Sequence, residues 1–367
     1  MANINSTQLL NFQKRLKNYK KLIDDDISAY AKIVQKSTLQ QYGAEARLAT
    51  DAYLSILGRG GKRIRGALTM AGYHMCDGQD KNMILQAARV IEMMHAYVLI
   101  LDDIQDRSET RRGDKSAHIM LRDYHHKQQF GDDSGHFGVS LAINSALVGS
   151  HAAQMTLANL NVPDDIKIKA LSILNRTMIV TAHGQTNDII NEVVAEVDEA
   201  AIERVLEWKT AHYTILNPLH IGMVLAGAGC EDTDAITDYA THTGIAFQIT
   251  DDIIGVFGNE QNSGKSPMDD TKEGKQTVLS VFALKHANDA DKNFLLQMLG
   301  NHQITLAEFD QVKNILIKSG ALKHAQDRSQ NHINLAIKSL DLHASRWPKK
   351  DIDFLRQLAL AIPARTN

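Results

Sequence analysis

Between Glu92 and Gly113 the chain reads EMMHAYVLILDDIQDRSETRRG. An apolar run from Met93 to Leu101, interrupted only by His95 and Tyr97, delivers Asp102, Asp103 and Asp106, and Arg111 and Arg112 follow closely. On a helix advancing about 100° per residue, the three aspartates fall within an arc of roughly 100° and form one acidic face. Carboxylates so close repel one another unless a cation neutralises them. Oxygen ligands of this kind suit a hard divalent ion such as Mg²⁺, held by one or two carboxylates together with phosphate oxygens. Guanidinium forks suit the same phosphates. The chemistry on offer is a carboxylate, a divalent cation and a phosphate held at one place. His95 precedes Asp102 by about two helical turns and lies on nearly the same face.

A second apolar stretch, Ala235 to Phe257, also closes in aspartates: FQITDDIIG, with Asp251 and Asp252. Two such helices facing each other across a helical bundle would hold metal between them. The segment that follows, GNEQNSGKSPMDDTKEGKQT, alternates Lys265, Lys272 and Lys275 with Asp269, Asp270 and Glu273. It reads as a charged loop able to bring lysines to phosphate as a lid. The turn GGKRIRG sets Lys62, Arg63 and Arg65 among glycines, which let a backbone approach an anion closely. It lacks the spacing and the Ser or Thr of a P-loop. GQTND (184–188) and Trp208-Lys209-Thr210 are polar steps inside otherwise helical segments.

The elements that must position these residues are helices. Of 367 residues, 44% are hydrophobic and 23% charged, an ordinary globular balance. Aromatics are only 5% and prolines five, which suits helices better than strands, and there is little period-two alternation. The spacing predicts helices over Leu9–Val34, Ala67–Met75, Met83–Leu101, Ser140–Leu160, Ile166–Val194, Val197–Leu216 (stopped near Pro218), Ala235–Phe257 and from Thr277 onward. Loops are expected over the histidine-rich Asp114–His136 and over Gly258–Gly274. No low-complexity linker divides the chain, so a single all-α domain over residues 1–367 is expected. A net charge of −3 argues against general nucleic-acid binding. Two cysteines, Cys76 and Cys230, give neither a disulfide framework nor zinc spacing and are expected as buried small residues. No signal-peptide core opens the chain, and no run reaches the roughly 18 apolar residues of a transmembrane span, so a cytoplasmic protein is expected.

Taken together, GGKRIRG, DDIQDRSETRRG, GQTND, KT and FQITDD…GK, in this order between Arg59 and Thr277, resemble the trans-isoprenyl diphosphate synthase (polyprenyl synthetase) family. The resemblance implies a single all-α bundle around a deep central cavity, usually homodimeric. It implies an enzyme that joins isopentenyl diphosphate to an allylic diphosphate and releases pyrophosphate. It also implies Mg²⁺, about three ions per active site, which stabilise the departing diphosphate. Residue by residue, Asp102 and Asp106 would ligate Mg²⁺ with Asp103 in support, and Asp251 would ligate a further ion. Arg111, Lys209 and Lys265 would contact the allylic diphosphate, and Lys62, Arg65, His95 and Arg112 the isopentenyl diphosphate. Gln185, Asp188, Thr210, Tyr213, Phe247 and Gln248 would line the reaction centre, with Lys275 in the closing loop. No side chain is an obvious strong base for the final proton, so the pyrophosphate is expected to take it.

The chain departs from the family pattern in places. Gly66 stands where proline is common, Thr250 where arginine is frequent, and Ser145-Ala146 replace a common Gly-Asp pair. Gly255 replaces the last aspartate of the second acidic motif. In the family, product length is set near the residues four and five before the first aspartate, here Val98 and Tyr97, with Met94 one turn further. An aromatic there, with an uninterrupted DDIQD, resembles geranylgeranyl diphosphate synthases. Farnesyl or longer polyprenyl products are the alternatives. A terpene cyclase would not need the GGKRIRG turn with Arg112, and a regulatory subunit would generally lose its acidic motifs.

Overall fold

Helices form nearly everywhere the apolar spacing predicts them, and most run longer. The computed structural model describes residues 6–194, 196–258 and 266–363. Helix α1 (Ser6–Gly58) extends well beyond Val34 and is broken only at Gly43, whose φ of 87° lies in the left-handed region. Helix α2 is Ile64–Met75. Helix α3 (Lys81–Gln105) starts on Asp80, whose side chain accepts the N–H groups of Asn82 and Met83. A two-stranded antiparallel ribbon, β1 (Thr110–Arg111) and β2 (Asp114–Lys115), follows. Then come α4 (Ala117–Gln128), α5 (Ser134–Ala158), α6 (Asp164–Val193) and α7 (Glu199–Val205). A π-helical segment (Leu206–Leu216) leads into α8 (Asn217–Leu225) and α9 (Cys230–Phe257). The rest is α10 (Asp269–Lys272), α11 (Val278–His286), α12 (Asp289–Met298), α13 (Leu306–Lys318), α14 (Ala321–Leu342) and α15 (Lys349–Ala361).

The chain divides into two compact units. One comprises Gln13–Ser172 and Ile221–Gly227; the other comprises the described parts of 1–12, 173–220 and 228–367. In the first, α3 packs against α2 and α5, and α4 against α5. Ile84, Ile91, Met93, Met94 and Ile100 of α3 are fully buried there. In the second, α9 packs against α14 and the π segment. Its Ile245, Ile249 and Ile253, spaced one turn apart, join Leu279, Phe309 and Ile315 in one core.

Four expectations are corrected. Asp114–His136 is mostly helix: Ala117, Leu121 and His125 make a buried stripe at i, i+4, i+8, hidden in the sequence because its third member is a histidine. His125 Nε2 donates to Gly131 O at 2.9 Å and closes the turn toward α5. Pro218 does not stop a helix. It sits at the start of α8, where the hydrogen-bond register changes from π to α and its missing N–H is not needed. Cys76 is half-buried and Cys230 exposed, so neither is a core residue. Helix α3 is long and apolar enough to cross a membrane, but 67% of the qualifying window is buried inside the protein, as in a core helix.

The π segment is held by close backbone approach. A Cβ at Gly184 of α6 would lie 2.3 Å from Lys209 N, and one at Gly244 of α9 would lie 2.4 Å from Ala211 Cα. Replacing glycine by alanine inside a helix ordinarily stabilises it by about 1 kcal/mol. Gly184→Ala is expected to do the reverse, costing roughly 1–3 kcal/mol by overpacking. Urea titration monitored by circular dichroism measures this, and a midpoint raised above wild type would contradict it.

Candidate active site

The first unit gathers one group of candidate residues at the end of α3. The Asp106 N–H bonds Asp102 O at 2.8 Å, so helical geometry persists through the motif and the two aspartates stand one turn apart on one face. Asp103 is fully buried and is the anchor of Arg111, which donates to it through Nε at 2.7 Å and through Nη2, and to Asp102 Oδ2 at 3.1 Å. The three aspartates outweigh burial and raise the Arg111 pKa above its ordinary value.

The GGKRIRG turn separates into two functions. Arg63 is buried with φ 52° and is structural: it donates to Glu92 Oε2 at 3.1 Å, Asp24 Oδ1 at 2.8 Å and Leu57 O at 2.9 Å. Glu92 also accepts the Gly66 N–H at 2.9 Å. Arg65, from the first turn of α2, instead faces His95, with Nη1···Nε2 at 3.4 Å. Arg112 donates to Gly60 O, and its guanidinium would lie 3.2 Å from a Cβ at Gly61. Lys62 is exposed. Burial, then Arg63, Arg65 and Arg111, pull the Arg112 pKa down to about 10, with Glu92 opposing. Burial, then Arg65, Arg112, Arg111 and Arg63, push His95 well below the ordinary imidazole value, so it is neutral. Four guanidiniums that depress their neighbours' pKa values form a cradle whose repulsion an anion would relieve.

The second unit gathers the other group. Lys209 of the π segment pairs with Asp188 of α6 at 2.6 Å, and Lys275 reaches Asp188 at 3.1 Å and Glu192 at 2.6 Å. These lysines lower the Asp188 pKa against a burial penalty that is the largest single influence. Thr210 donates to Gln248 Oε1 at 2.9 Å, and Gln248 donates to Asp252 Oδ1 at 2.7 Å. Burial, then Asp270, raises the Asp252 pKa well above its usual range. Tyr213 is buried; Gln185, Phe247 and Asp251 are half-buried. Lys265 lies outside the described residues. Sequence reasoning missed the roles of Arg63 and Glu92, and no local signal separates Arg63 from its neighbours Lys62 and Arg65.

An all-helical chain with aspartate-closed helices, an arginine cradle and lysines on a π segment defines a class of enzymes that handle diphosphates. A model of that class, Polyprenyl synthetase, matches residues 46–316. The chain belongs to the polyprenyl synthetase family and is a prenyltransferase. It is 29% identical over 314 residues to a geranylgeranyl diphosphate synthase of Sulfolobus acidocaldarius, covering 84% of this chain and 89% of the relative. It is 27% identical over 322 residues to an octaprenyl diphosphate synthase of Haemophilus influenzae, covering 88% and 89%. Among solved structures, the geranylgeranyl pyrophosphate synthase from Corynebacterium glutamicum complexed with isoprenyl diphosphate and magnesium superposes with a TM-score of 0.90. Their identity is 28%, with 95% of this chain and 99% of that one covered.

The depressed His95 pKa makes a pH prediction. In the unfolded chain the imidazole titrates near about 6.5, whereas in the folded protein it stays neutral to lower pH. Below that value the unfolded state binds a proton the folded state does not. The stability is therefore present above about 6.5 and lost as pH falls toward the depressed folded value. His95→Gln removes this dependence, so the excess Tm of wild type over variant is expected to shrink as pH drops from about 7.5 to about 5. An excess independent of pH would show that His95 titrates alike in both states.

Proposed function

We propose that this family member is a Mg²⁺-dependent short-chain prenyltransferase that joins isopentenyl diphosphate to an allylic diphosphate, with geranylgeranyl diphosphate as its product. The observation that carries this is the arrangement inside one unit: carboxylates at the end of α3 set directly against an arginine cradle that encloses a neutral histidine. Asp102 and Asp106, one turn apart, fit a hard divalent ion, and Asp251 is the residue to hold a further one, for about three ions in all. Bound Mg²⁺ supplies charge neutralisation for the diphosphate leaving group.

The remaining chemistry belongs to the chain's own residues. Arg111, oriented by Asp103, binds the allylic diphosphate and stabilises the charge that grows on it as the carbon–oxygen bond breaks, a role the family resemblance also gives to Lys209 and Lys265. Lys62, Arg65, Arg112 and His95 hold isopentenyl diphosphate, and neutral His95 does so without adding to the cationic repulsion. Gln185, Asp188, Thr210, Tyr213, Phe247 and Gln248 line the reaction centre. Lys275, tied to Asp188 and Glu192, belongs to the segment that closes over it and keeps water from the allylic cation. One catalytic domain carries out the whole reaction, in the cytoplasm.

Product length follows from α3. Met94 is fully buried, while Tyr97 and Val98 are half-buried. Burial pushes the Tyr97 hydroxyl up to about 12, with nearby Ser150 of α5 opposing the rise. Tyr97, half-buried on α3 and facing α5, is the aromatic stop. The relatives named for geranylgeranyl products support the same length. The chain acts as a homodimer: α5 carries an exposed apolar face of Ile143, Leu147, Val148 and Met155, at helical spacing, that a second copy would cover.

The test is a product assay with Mg²⁺, labelled isopentenyl diphosphate and, separately, dimethylallyl, geranyl and farnesyl diphosphates. Geranylgeraniol is expected after dephosphorylation, and longer alcohols from Tyr97→Ala. No incorporation with any primer by a folded protein would sink the activity, and an unchanged product from Tyr97→Ala would sink the stop. In light scattering, Leu147→Asp is expected to move the protein from dimer toward monomer.

A further inference from the structure

Helix α1 sorts its charges by face. Counted at about 100° per residue, Lys14, Lys17, Lys21, Lys32 and Lys36 fall within an arc of roughly 100°. All five are exposed, and helical geometry is unbroken between them. At about 1.5 Å per residue they make a stripe roughly 33 Å long. The opposite side of the same stretch carries Tyr19, Ile23 and Ile27, which are buried. The acids of this stretch do not neutralise the stripe. Asp24 accepts from Lys20 and from Arg63 Nε at 2.8 Å, and Asp26 accepts from Arg89 Nη1 at 2.6 Å. Only Asp25 lies on the stripe, paired with Lys21 at 2.5 Å. Lys14, Lys17, Lys32 and Lys36 pair with no carboxylate among the described residues. Between Ser6 and Tyr42 there are seven basic residues and three acidic ones, in a chain whose net charge is −3.

The residue types say what such a stripe recognises. It holds lysines and no arginine: Arg15 is turned to Tyr19, donating through Nε to its hydroxyl at 2.9 Å. Lysine is a mobile point charge that follows a diffuse negative field, whereas bidentate recognition of single phosphates or bases draws on arginine. A cluster of about four to eight basic residues on an amphipathic helix suits a bilayer surface rich in anionic lipid. Leu22, Ile33 and Tyr42 flank the lysines, and Ile33 and Tyr42, at 69% and 65% exposure, offer apolar contact to a headgroup layer. The buried face of α1 is already used inside the protein, so the contact is superficial and reversible rather than inserted. On that inner side α1 backs α3, where Arg89 lies over the Tyr30 ring at 4.5 Å, about two turns before Tyr97. The lysines are thus on the outer side of the helix that backs the product end of α3.

We infer that the lysine face of α1 docks the protein reversibly on a bilayer surface rich in anionic lipid, so that an apolar diphosphate product is released where it can partition. Docking draws on the proposed function only for the apolar product; the stripe and the surface it fits stand without it.

The test sediments the full chain with vesicles of phosphatidylcholine alone or of equimolar phosphatidylcholine and phosphatidylglycerol, at low and at high salt. Binding is expected to the mixed vesicles only, and to be lost at high salt. Lys14→Gln with Lys17→Gln is expected to weaken it by at least about tenfold, and glutamine at all five stripe positions to abolish it, with Tm and turnover in vesicle-free solution unchanged. Lys81→Gln with Lys127→Gln, which removes two exposed lysines elsewhere in the same unit, is expected to leave binding at wild-type strength. No binding to the mixed vesicles, equal binding to phosphatidylcholine alone, or equal weakening in the two paired variants overturns the inference. So does a shift from dimer to monomer in light scattering of the five-glutamine variant, which would make the stripe a contact between copies. Vesicle binding by a protein that incorporates no isopentenyl diphosphate overturns the proposed function and leaves the docking standing, and product formation without vesicle binding does the reverse.

Discussion

Two buried arginine–carboxylate pairs determine what the acidic end of α3 can do. Arg63 and Glu92 have side-chain exposures of 2% and 3%, and Asp103, the anchor of Arg111, has 0%. Burying such charges is costly unless every partner is supplied, and removing one partner leaves an uncompensated charge worth about 3–5 kcal/mol. Here the partners are supplied. Glu92 receives Arg63 and the Gly66 N–H, and Arg63 also reaches Asp24 and Leu57 O. The first pair pins the first turn of α2 to α3, which sets Arg65 against His95. The second pins Arg111 beside Asp102. Two of the guanidiniums around His95, those of Arg63 and Arg111, are held by buried acids against the repulsion of their neighbours.

The second unit reaches the same end by backbone geometry. An 11-residue π segment widens the helix that carries Lys209, Thr210 and Tyr213. π turns pack poorly and persist where the surroundings over-determine them, often at functional sites. Gly184 and Gly244 provide that constraint, each removing the one methyl group that would keep α6 or α9 away. The polar step GQTND is therefore two things at once: its glycine admits the π segment, and its aspartate receives the lysine that segment presents.

Much of this was legible in the sequence because it is periodic. Apolar spacing located nearly every helix, and motif order identified the family. What stayed hidden is non-local or breaks a period. Helix α4 was masked by His125 standing in for an apolar residue, and the π segment keeps an ordinary helical look residue by residue. Arg63 and Arg65, two positions apart in one basic turn, go to opposite fates because only Arg63 has Glu92 and Asp24 within reach. Cys230 was expected in a core and lies exposed, since composition says nothing about which face a small residue occupies.

The departures from the family motifs carry the remaining lesson. Gly66 uses the N–H that a proline would lack, to satisfy Glu92. Thr250 is buried and shares a hydrogen bond of 3.0 Å with Ser329, where an arginine would bring an unpaired charge into that contact. Gly255 leaves room that Asp270 fills. Each change is matched by a partner on another element, 26 residues away in the first case and 79 in the second. A motif position is thus a place in space, and its neighbours on other elements decide which residue it can hold.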